Sequence, residues 1–276
     1  MNEAEDAEGP ARLQACLTRW HLTARGAPWC TGSGWLQAVW RNGEPAMLKV
    51  ALVPEERRGG QLMVWWRGRG AARVLAHDAD AILLEHATGR RSLPCMARNG
   101  QDDAASRIIC DVAARLHAPQ SRPRPDLVPL SAWFASLAQA AGTRGGVFRE
   151  AGAVAADLLG AQQDTVVLHG DLHHGNVLDA GTRGWLAIDP KGLIGERGFD
   201  FANILCNPDH DLATSPGRLN RQVAVIAEAA GLDRRRLHAW VAAWAGLSAA
   251  WHLEDDTGPD TALAVAGLAL AALRTG

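Results

Sequence analysis

The chain has 276 residues, of which 47% are hydrophobic, with a formal net charge of −2 and a pI near 6.5. This length can bury a sizeable core, and the lack of a basic excess argues against nucleic acid as a partner. Five scattered Cys without a CxxC pair predict reduced thiols rather than a disulfide framework. The acidic start MNEAEDAEGP and the short, Ala-rich apolar runs predict a cytoplasmic protein with no signal peptide and no membrane span.

The first part of the chain predicts a small antiparallel sheet with one helix. The runs GWLQAVW (34–40) and PAMLKVALV (45–53) predict two strands, and the Asn42–Gly43 pair between them is typical of a hairpin turn. The next elements are expected to be a helix at 55–66 and strands at 72–77 and 81–87.

From about residue 101 the hydrophobic pattern becomes helical. Helices are expected at 102–117, 130–141, 147–160, 199–206, 217–230, 234–253 and 260–273. Two buried strands, 165–170 and 184–189, interrupt them. We therefore predict an α+β protein of two lobes. A β-rich N-lobe (1–87) is joined by a linker near 87–92 to a larger, mainly helical C-lobe (88–276).

The stretch LHGDLHHGN (168–176) concentrates the polar residues that chemistry needs. Asp171 precedes Asn176 by five positions, and Asp189 follows at the end of an apolar strand. Protein kinases use this order for a catalytic Asp, a Mg²⁺-binding Asn and a Mg²⁺-binding Asp. A hydroxyl nucleophile needs a carboxylate to accept its proton, and Mg²⁺ prefers hard oxygen ligands. We predict Asp171 as the catalytic base and Asn176 and Asp189 as metal ligands.

The three histidines of the same stretch also permit a zinc site. His169, His173 and His174 are close in sequence, but the His residues further along form no ligand-spaced pair. A purely structural loop is another alternative, although it does not account for Asp189 or for Lys49 upstream. Both alternatives are weaker than the phosphotransfer hypothesis.

The motif LHGDLHHGNVL…GWLAIDPKG resembles the aminoglycoside phosphotransferase family. The segments RLHAP, GERGFDFANIL and SAAWHLEDD are similar to its streptomycin 6-kinase branch, and the resemblance runs from about residue 29 to the C-terminus. It implies a protein-kinase-like fold, ATP and Mg²⁺ as cofactors, and the 6-hydroxyl of streptomycin as the acceptor. A kinase for another cationic metabolite or aminoglycoside, or a non-catalytic binding protein with this fold, remains an alternative.

The resemblance also implies a nucleotide site. Lys49 lies within the strand AMLKVA and would bind the α- and β-phosphates, with Glu56, or else Glu55, as its partner on the next helix. The chain has only two Lys, Lys49 and Lys191, against 26 Arg, so each Lys marks a position where an ammonium is needed. Lys49 could instead extend to solvent. Lys191, two residues after Asp189, is expected either near the phosphates or in solvent.

Further nucleotide contacts are expected in two short segments. Ser33 and Gly34, in TGSGW, lie where kinases fold a glycine-rich loop over the phosphates. Glu85 and Ala87, in LLEHA, lie where the hinge between the lobes offers main-chain groups to adenine.

The remaining predicted site residues support the catalytic loop or bind the acceptor. His169 and Asp200 are expected to support the loop without touching substrate. An acidic wall suits a cationic acceptor, since carboxylates pair with guanidinium groups. The candidates for the acceptor site are His174, Trp251, Glu254, Asp255 and Asp256. Acidic loops are also ordinary solvated surface, and the stripe of Trp240, Trp244, Leu247 and Trp251 at helical spacing is typical of core.

Overall fold

The computed structural model describes residues 3–275. Its N-terminal part is a six-stranded antiparallel sheet with the order β1-β3-β4-β6-β5, in which β2 also pairs with β3. The strands are β1 (Thr23–Ala24), β2 (Trp29–Cys30), β3 (Gly34–Arg41), β4 (Glu44–Ala51), β5 (Val74–His77) and β6 (Ala81–Glu85).

The predicted hairpin is confirmed. Arg41 pairs with Glu44 across a two-residue turn in which Asn42 and Gly43 both have positive φ, 52° and 83°, as this turn type requires. Strand β4 lies between β3 and β6, which holds Lys49 opposite Leu36 and Ile82. It ends at Ala51, two residues earlier than expected.

Two helices flank this sheet, and only one of them was expected. Helix α2 (Pro54–Trp66) begins with Pro at its first position and corresponds to the predicted helix 55–66. Helix α1 (Glu3–Arg19) was not predicted, because its polar start and Pro10 obscure the pattern. Its residues Leu13 and Cys16 pack in one cluster with Leu48 of β4.

The larger part of the chain is mainly helical, and the α+β prediction is confirmed. Its longer helices are α4 (Asp102–His117), α6 (Ala135–Arg144), α7 (Gly146–Gly160), α10 (Arg218–Ala230), α11 (Arg234–Glu254) and α12 (Asp260–Thr275). Its shorter helices are α3 (Leu93–Met96), α5 (Leu130–Trp133), α8 (Phe199–Ala202) and α9 (His210–Ala213). The expected helix 199–206 is α8 followed by a 3₁₀ turn, Asn203–Cys206.

One predicted helix, 130–141, is divided at Phe134 into α5 and α6. Phe134 has φ −82° and ψ 10°, and its ring packs on Phe199 at 5.8 Å and on Trp240 at 6.2 Å between centroids. The helix is interrupted at Phe134, and the ring of this residue is buried against the two other aromatic rings. Trp240 and Leu247 of the helical stripe are fully buried in the core, as their spacing indicated, whereas Trp251 at its end is half-buried.

Short strands frame the segment 169–176. Strand β8 (Thr165–Leu168) precedes it and pairs antiparallel with β11 (Leu193–Glu196), which also pairs with β7 (Val128–Pro129). Strands β9 (Val177–Asp179) and β10 (Trp185–Ala187) form a hairpin after it. This arrangement brings residue 176, before β9, close to residue 189, after β10.

The two lobes are joined by hydrogen bonds behind the site. Ala72 N donates to Ala187 O at 2.9 Å, and the Trp66 indole of α2 donates to Leu116 O of α4 at 3.2 Å. Among residues 3–275, no helix is both long and apolar enough to cross a membrane. All five cysteines have free thiols.

We expect Leu116→Ala to lower the free energy of unfolding by about 2–5 kcal/mol, because Leu116 is fully buried in the main core and its removal leaves a cavity. Urea denaturation measures this change. Leu268→Ala on α12 is the control: Leu268 is 43% exposed, so its truncation should cost less than about 0.5 kcal/mol. Equal losses in the two variants would contradict the packing of α4 described above.

Candidate active site

The side chain of Asp171 is held from two directions. Asn176 Nδ2 donates to Asp171 O at 2.9 Å and to Oδ2 at 3.1 Å. Asn203 Nδ2 donates to Asp171 Oδ1 at 2.8 Å. Each carboxylate oxygen therefore has an amide partner, while the side chain remains 29% exposed. The arrangement fixes a carboxylate that can still accept a proton.

The main chain of this loop is anchored by the buried carboxylate of Asp200. His169 N donates to its Oδ2 at 2.8 Å, Gly170 N donates to its Oδ1 at 2.7 Å, and His117 Nε2 lies 2.8 Å from Oδ2. Burial alone would raise the pKa of Asp200, but the bond and charge of His117, then His169 and the Gly170 amide, hold it below its ordinary value. Asp200 therefore remains ionised.

His169 lies beneath the loop and is fully buried. Its Nε2 donates to Ile188 O at 2.8 Å, and its Nδ1 accepts from Asp171 N at 3.2 Å. Burial lowers the pKa of His169, so the neutral ring that these two bonds require is favoured. Both ring nitrogens are therefore used in hydrogen bonds that support the loop, and neither is left to bind a metal.

Lys49 joins the two lobes. Its ammonium contacts the carboxylates of Glu56 on α2 and of Asp189, and its side chain is only 8% exposed. Ser33 Oγ donates to Glu56 Oε1 at 2.8 Å. Burial alone would raise the pKa of Asp189, but Lys49 and then Lys191 hold it below its ordinary value. Of the two acids considered, Glu56 is the partner of Lys49.

A cavity of about 240 Å³ lies between the sheet and the C-lobe, next to this ion pair. Lys49 and Asp189 line one end, and the main-chain segment of Glu85 and Ala87 lines it further along. The carboxylate of Glu85 contacts Arg183 and accepts from Arg73 N at 2.6 Å, so the main chain is what this segment can offer a ligand. The apolar lining comes from Trp29, Leu36, Met47, Leu84, Leu186 and Ile188. The cavity is suited to a flat aromatic ring with a charged tail.

Ser33 and Gly34 lie beside this cavity rather than in its lining. Ser33 O accepts from Leu52 N at 3.0 Å, and Gly34 O accepts from Thr31 N at 2.8 Å. The loop thus folds toward the start of α2, and the Ser33 hydroxyl is used to orient Glu56.

Asn176 and Asp189 fit a divalent metal. Ile188 N donates to Asn176 O at 2.9 Å, which holds the two segments together. The amide nitrogen of Asn176 is committed to Asp171, which leaves the amide oxygen for a metal. The Asp189 carboxylate is 40% exposed and ionised. One amide oxygen and one carboxylate are the hard donors that Mg²⁺ takes alongside phosphate oxygens.

The donor set does not fit zinc. In residues 3–275, no three His, Cys, Asp or Glu side chains are grouped to hold a metal. His169 is used in hydrogen bonds, and His174 is buried elsewhere.

A second cavity, of about 520 Å³, has Asp171 in its lining and is called the acceptor cavity below. It is lined by Glu55, Ala132, Trp133, Ala135, Ser136, Gly170, Asp171, Lys191, Trp244, Ser248, Trp251 and Asp255. Trp133 and Trp251 meet edge to face at 5.4 Å between ring centroids. The wall therefore combines aromatic faces with carboxylates, which suits a cation.

The predicted acceptor residues separate into three groups. Trp251 and Asp255 line the second cavity. Glu254 lies at its margin, where it accepts from Ser136 Oγ at 3.0 Å, and Asp256 is exposed outside the lining.

His174 does not line the acceptor cavity, so its predicted contact with substrate is not supported. Its side chain is fully buried and lies 3.9 Å from Asp102. Burial, together with nearby Arg218, lowers the pKa of His174 to about 3. Sequence spacing could not distinguish it from its half-buried neighbour His173.

Two features of the site were missed. Asn203, within the segment GERGFDFANIL, was not predicted to have a role, although its position three residues after Asp200 on one helical turn could have suggested one. Lys191 lines the acceptor cavity beside Asp171, with its Nζ 2.9 Å from Glu55 Oε1. Burial alone would lower the pKa of Lys191, but Glu55 and then Asp171 raise it to about 12. Lys191 is therefore cationic.

Comparison with known proteins places these features in a family. A family model described as aminoglycoside/hydroxyurea antibiotic resistance kinase matches residues 19–256. A streptomycin 3''-kinase of Klebsiella pneumoniae is 50% identical over 244 residues, covering 87% of this chain and 91% of the relative. A streptomycin 6-kinase of Streptomyces glaucescens is 33% identical, covering 89% and 83% respectively.

Solved structures show the same fold at low sequence identity. The aminoglycoside phosphotransferase APH(4)-Ia superposes with a TM-score of 0.69 at 14% identity, covering 97% of this chain and 99% of that one. A choline/ethanolamine kinase family protein from Mesorhizobium loti gives 0.63 at 18% identity, covering 98% and 94%. The expected protein-kinase-like fold is confirmed. The chain belongs to the aminoglycoside/hydroxyurea antibiotic resistance kinases and is a phosphotransferase.

Proposed function

We propose that this protein is an ATP-dependent O-phosphotransferase that modifies streptomycin and thereby inactivates it in the cytoplasm. The observation that carries the proposal is the position of Asp171. Its fixed carboxylate lines a cavity with aromatic and acidic side chains. Its partner Asn176 is hydrogen-bonded to the main chain of Ile188, next to Asp189, and both of these residues line the cavity between the lobes. The 50% identity to a streptomycin 3''-kinase supports streptomycin as the acceptor.

The nucleotide is proposed to bind in the cavity between the lobes. Adenine would contact the main chain of Glu85 to Ala87, while Lys49, oriented by Glu56, would bind the α- and β-phosphates. Asn176 and Asp189 would hold Mg²⁺, which neutralises phosphate charge when bound. Residues 1–87 would thus serve mainly the nucleotide, and residues 88–276 the chemistry and the acceptor.

The reaction follows from the hydrogen bonds of Asp171. The acceptor hydroxyl would enter from the second cavity and donate its proton toward Asp171 as its oxygen bonds to the γ-phosphorus. Asn176 and Asn203 keep the carboxylate oriented. Because the loop is already tied to Asp200, little reorganisation is needed before transfer.

Streptomycin suits the acceptor cavity by charge. It carries two guanidinium groups, which pair with carboxylates and stack on aromatic rings. Asp255 supplies a carboxylate, and Trp133 and Trp251 supply the rings.

The hydroxyl that is modified is a separate part of the proposal. The sequence motifs led us to expect the 6-hydroxyl, and streptomycin 6-kinases are 31–33% identical to this chain. The 50% identity to the streptomycin 3''-kinase favours the 3''-hydroxyl. We therefore propose the 3''-hydroxyl, with the 6-hydroxyl as the alternative product.

An acceptor-dependent assay of ADP formation tests the function. Purified protein with ATP and Mg²⁺ should form ADP when streptomycin is added, and kanamycin and hydroxyurea serve as contrasting acceptors. NMR of the product then assigns the phosphorylated hydroxyl. Turnover with another acceptor and none with streptomycin would refute the proposal.

We expect Asp171→Asn to reduce kcat for streptomycin by about 10²-fold or more, because the amide cannot accept the proton. Affinity for ATP should change little, since Lys49 and the metal ligands remain. Steady-state kinetics and nucleotide titration measure the two effects. The control is Asp126→Asn in an exposed loop, and near-full turnover in the Asp171 variant would rule out its role.

Lys49→Arg should lose most of the activity although the charge is kept. The planar guanidinium cannot occupy the buried position between Glu56 and Asp189 that the ammonium fills. Nucleotide Kd and kcat measure the effect, and the thermal midpoint reports whether the variant is folded. A folded variant with unchanged Kd and kcat would show that Lys49 does not bind phosphates.

Asp255→Asn should raise KM for streptomycin about fivefold at low salt and less at high salt, as is typical of an ion pair at an exposed edge. KM for ATP should be unchanged, because Asp255 lines only the acceptor cavity. Asp256→Asn is the matched control, one residue away and outside the lining, and should change KM less than twofold. Equal effects of the two variants would mean that the acidic run acts only through its general field.

A further inference from the structure

We propose that Lys191 is a further catalytic residue, which binds the transferred γ-phosphoryl group from the acceptor side. This inference rests on the proposed function. The chain has only two Lys among its 28 basic residues, and both lie at the proposed reaction centre. Each pairs with one of two adjacent acids in the first turn of α2, Lys49 with Glu56 and Lys191 with Glu55.

The main chain of Lys191 is fixed relative to Asp171. Lys191 N donates to His169 O at 2.7 Å, two residues before the catalytic carboxylate. On its other side, a Cβ on Gly59 of α2 would overlap the main-chain oxygen of Pro190. The loop is therefore clamped between the catalytic loop and α2, so the side chain starts from a fixed position.

The side chain of Lys191 points into the acceptor cavity. It is 20% exposed, lines that cavity together with Gly170 and Asp171, and its Nζ is 2.9 Å from Glu55 Oε1. Lys49, by contrast, lines the nucleotide cavity. The two ammonium groups thus lie in different cavities, that of Lys49 with Asp189 and that of Lys191 with Asp171.

The chemistry explains why a cation is needed there. In the transfer, the bond between the γ-phosphorus and the bridging oxygen of ATP breaks, the acceptor oxygen bonds to that phosphorus, and the hydroxyl proton passes to Asp171 as ADP leaves. Negative charge is spread over the three non-bridging oxygens of the group in transit. Asp171 and Glu55 face the same cavity and would repel this charge, so a cation beside them offsets that repulsion.

A purely structural role makes a different prediction. If Lys191 only tethers α2, then removing either partner of the pair should have the same effect. If Lys191 binds the γ-phosphoryl group, then Glu55→Gln keeps the cation and should keep its effect on the nucleotide.

Nucleotide binding by calorimetry separates these cases. Kd is measured with Mg²⁺ for ADP and for AMP-PNP, an ATP analogue that resists hydrolysis, in wild type, Lys191→Met, Glu55→Gln and Lys49→Met. In Lys191→Met, Kd for AMP-PNP should rise about 10-fold or more while Kd for ADP stays within twofold, because only the γ-phosphoryl group loses a charge-assisted bond. Lys49→Met should weaken both nucleotides. Glu55→Gln should keep most of the preference for AMP-PNP.

Turnover gives the second readout. In Lys191→Met, kcat with streptomycin should fall about 10²-fold or more, with KM for streptomycin changed much less. If Lys191→Met does not fold, Lys191→Gln replaces it in both measurements. Unchanged affinities, equal loss for both nucleotides, or equal behaviour of Lys191→Met and Glu55→Gln would each overturn the proposal.

The binding assay does not depend on the acceptor. A wild-type protein that binds both nucleotides but does not phosphorylate streptomycin refutes the proposed acceptor and leaves the Lys191 test intact. A wild-type protein that binds neither nucleotide refutes both proposals.

Discussion

The site depends first on one buried carboxylate, that of Asp200. It accepts from two consecutive main-chain amides of the catalytic loop and from His117 at the end of α4. A buried charge is tolerated only when it is fully hydrogen-bonded, so the loop can adopt only the conformation that satisfies it. The direction of Asp171 follows from this constraint. Helix α4, which carries His117, is also bonded to the N-lobe through the hydrogen bond between Trp66 and Leu116.

Much of this arrangement could be predicted from the sequence, where a local pattern fixes a local structure. The Asn42–Gly43 turn determines the register of the hairpin that carries Lys49, and the five-residue spacing of Asp171 and Asn176 places both on one tight loop. The predicted catalytic carboxylate, its amide neighbour and the predicted metal ligand after a hairpin could be recognised because their order along the chain matches the order that protein kinases use.

What could not be predicted depends on contacts between distant segments. His174 and Asp255 are both polar residues next to functional ones, but only packing places the first in the interior and the second at the cavity. Helix α1 lacks a clear periodic pattern and is held by its contact with the sheet. Phe134 interrupts a helix at the point where its ring packs against Phe199, which lies 65 residues later in the chain. No local propensity contains this information.

The close approach of Gly59 to Pro190 has a consequence for how activity is controlled. In protein kinases, the helix that carries the Glu partner of the phosphate-binding Lys moves, and activation consists of bringing it into place. Here the corresponding helix, α2, rests on the loop that follows Asp189, the proposed metal ligand, and its two acids are paired with Lys49 and Lys191. Both ion pairs of α2 are thus formed by the folded chain itself, and the close approach of Gly59 to Pro190 leaves no room for α2 to move nearer to that loop.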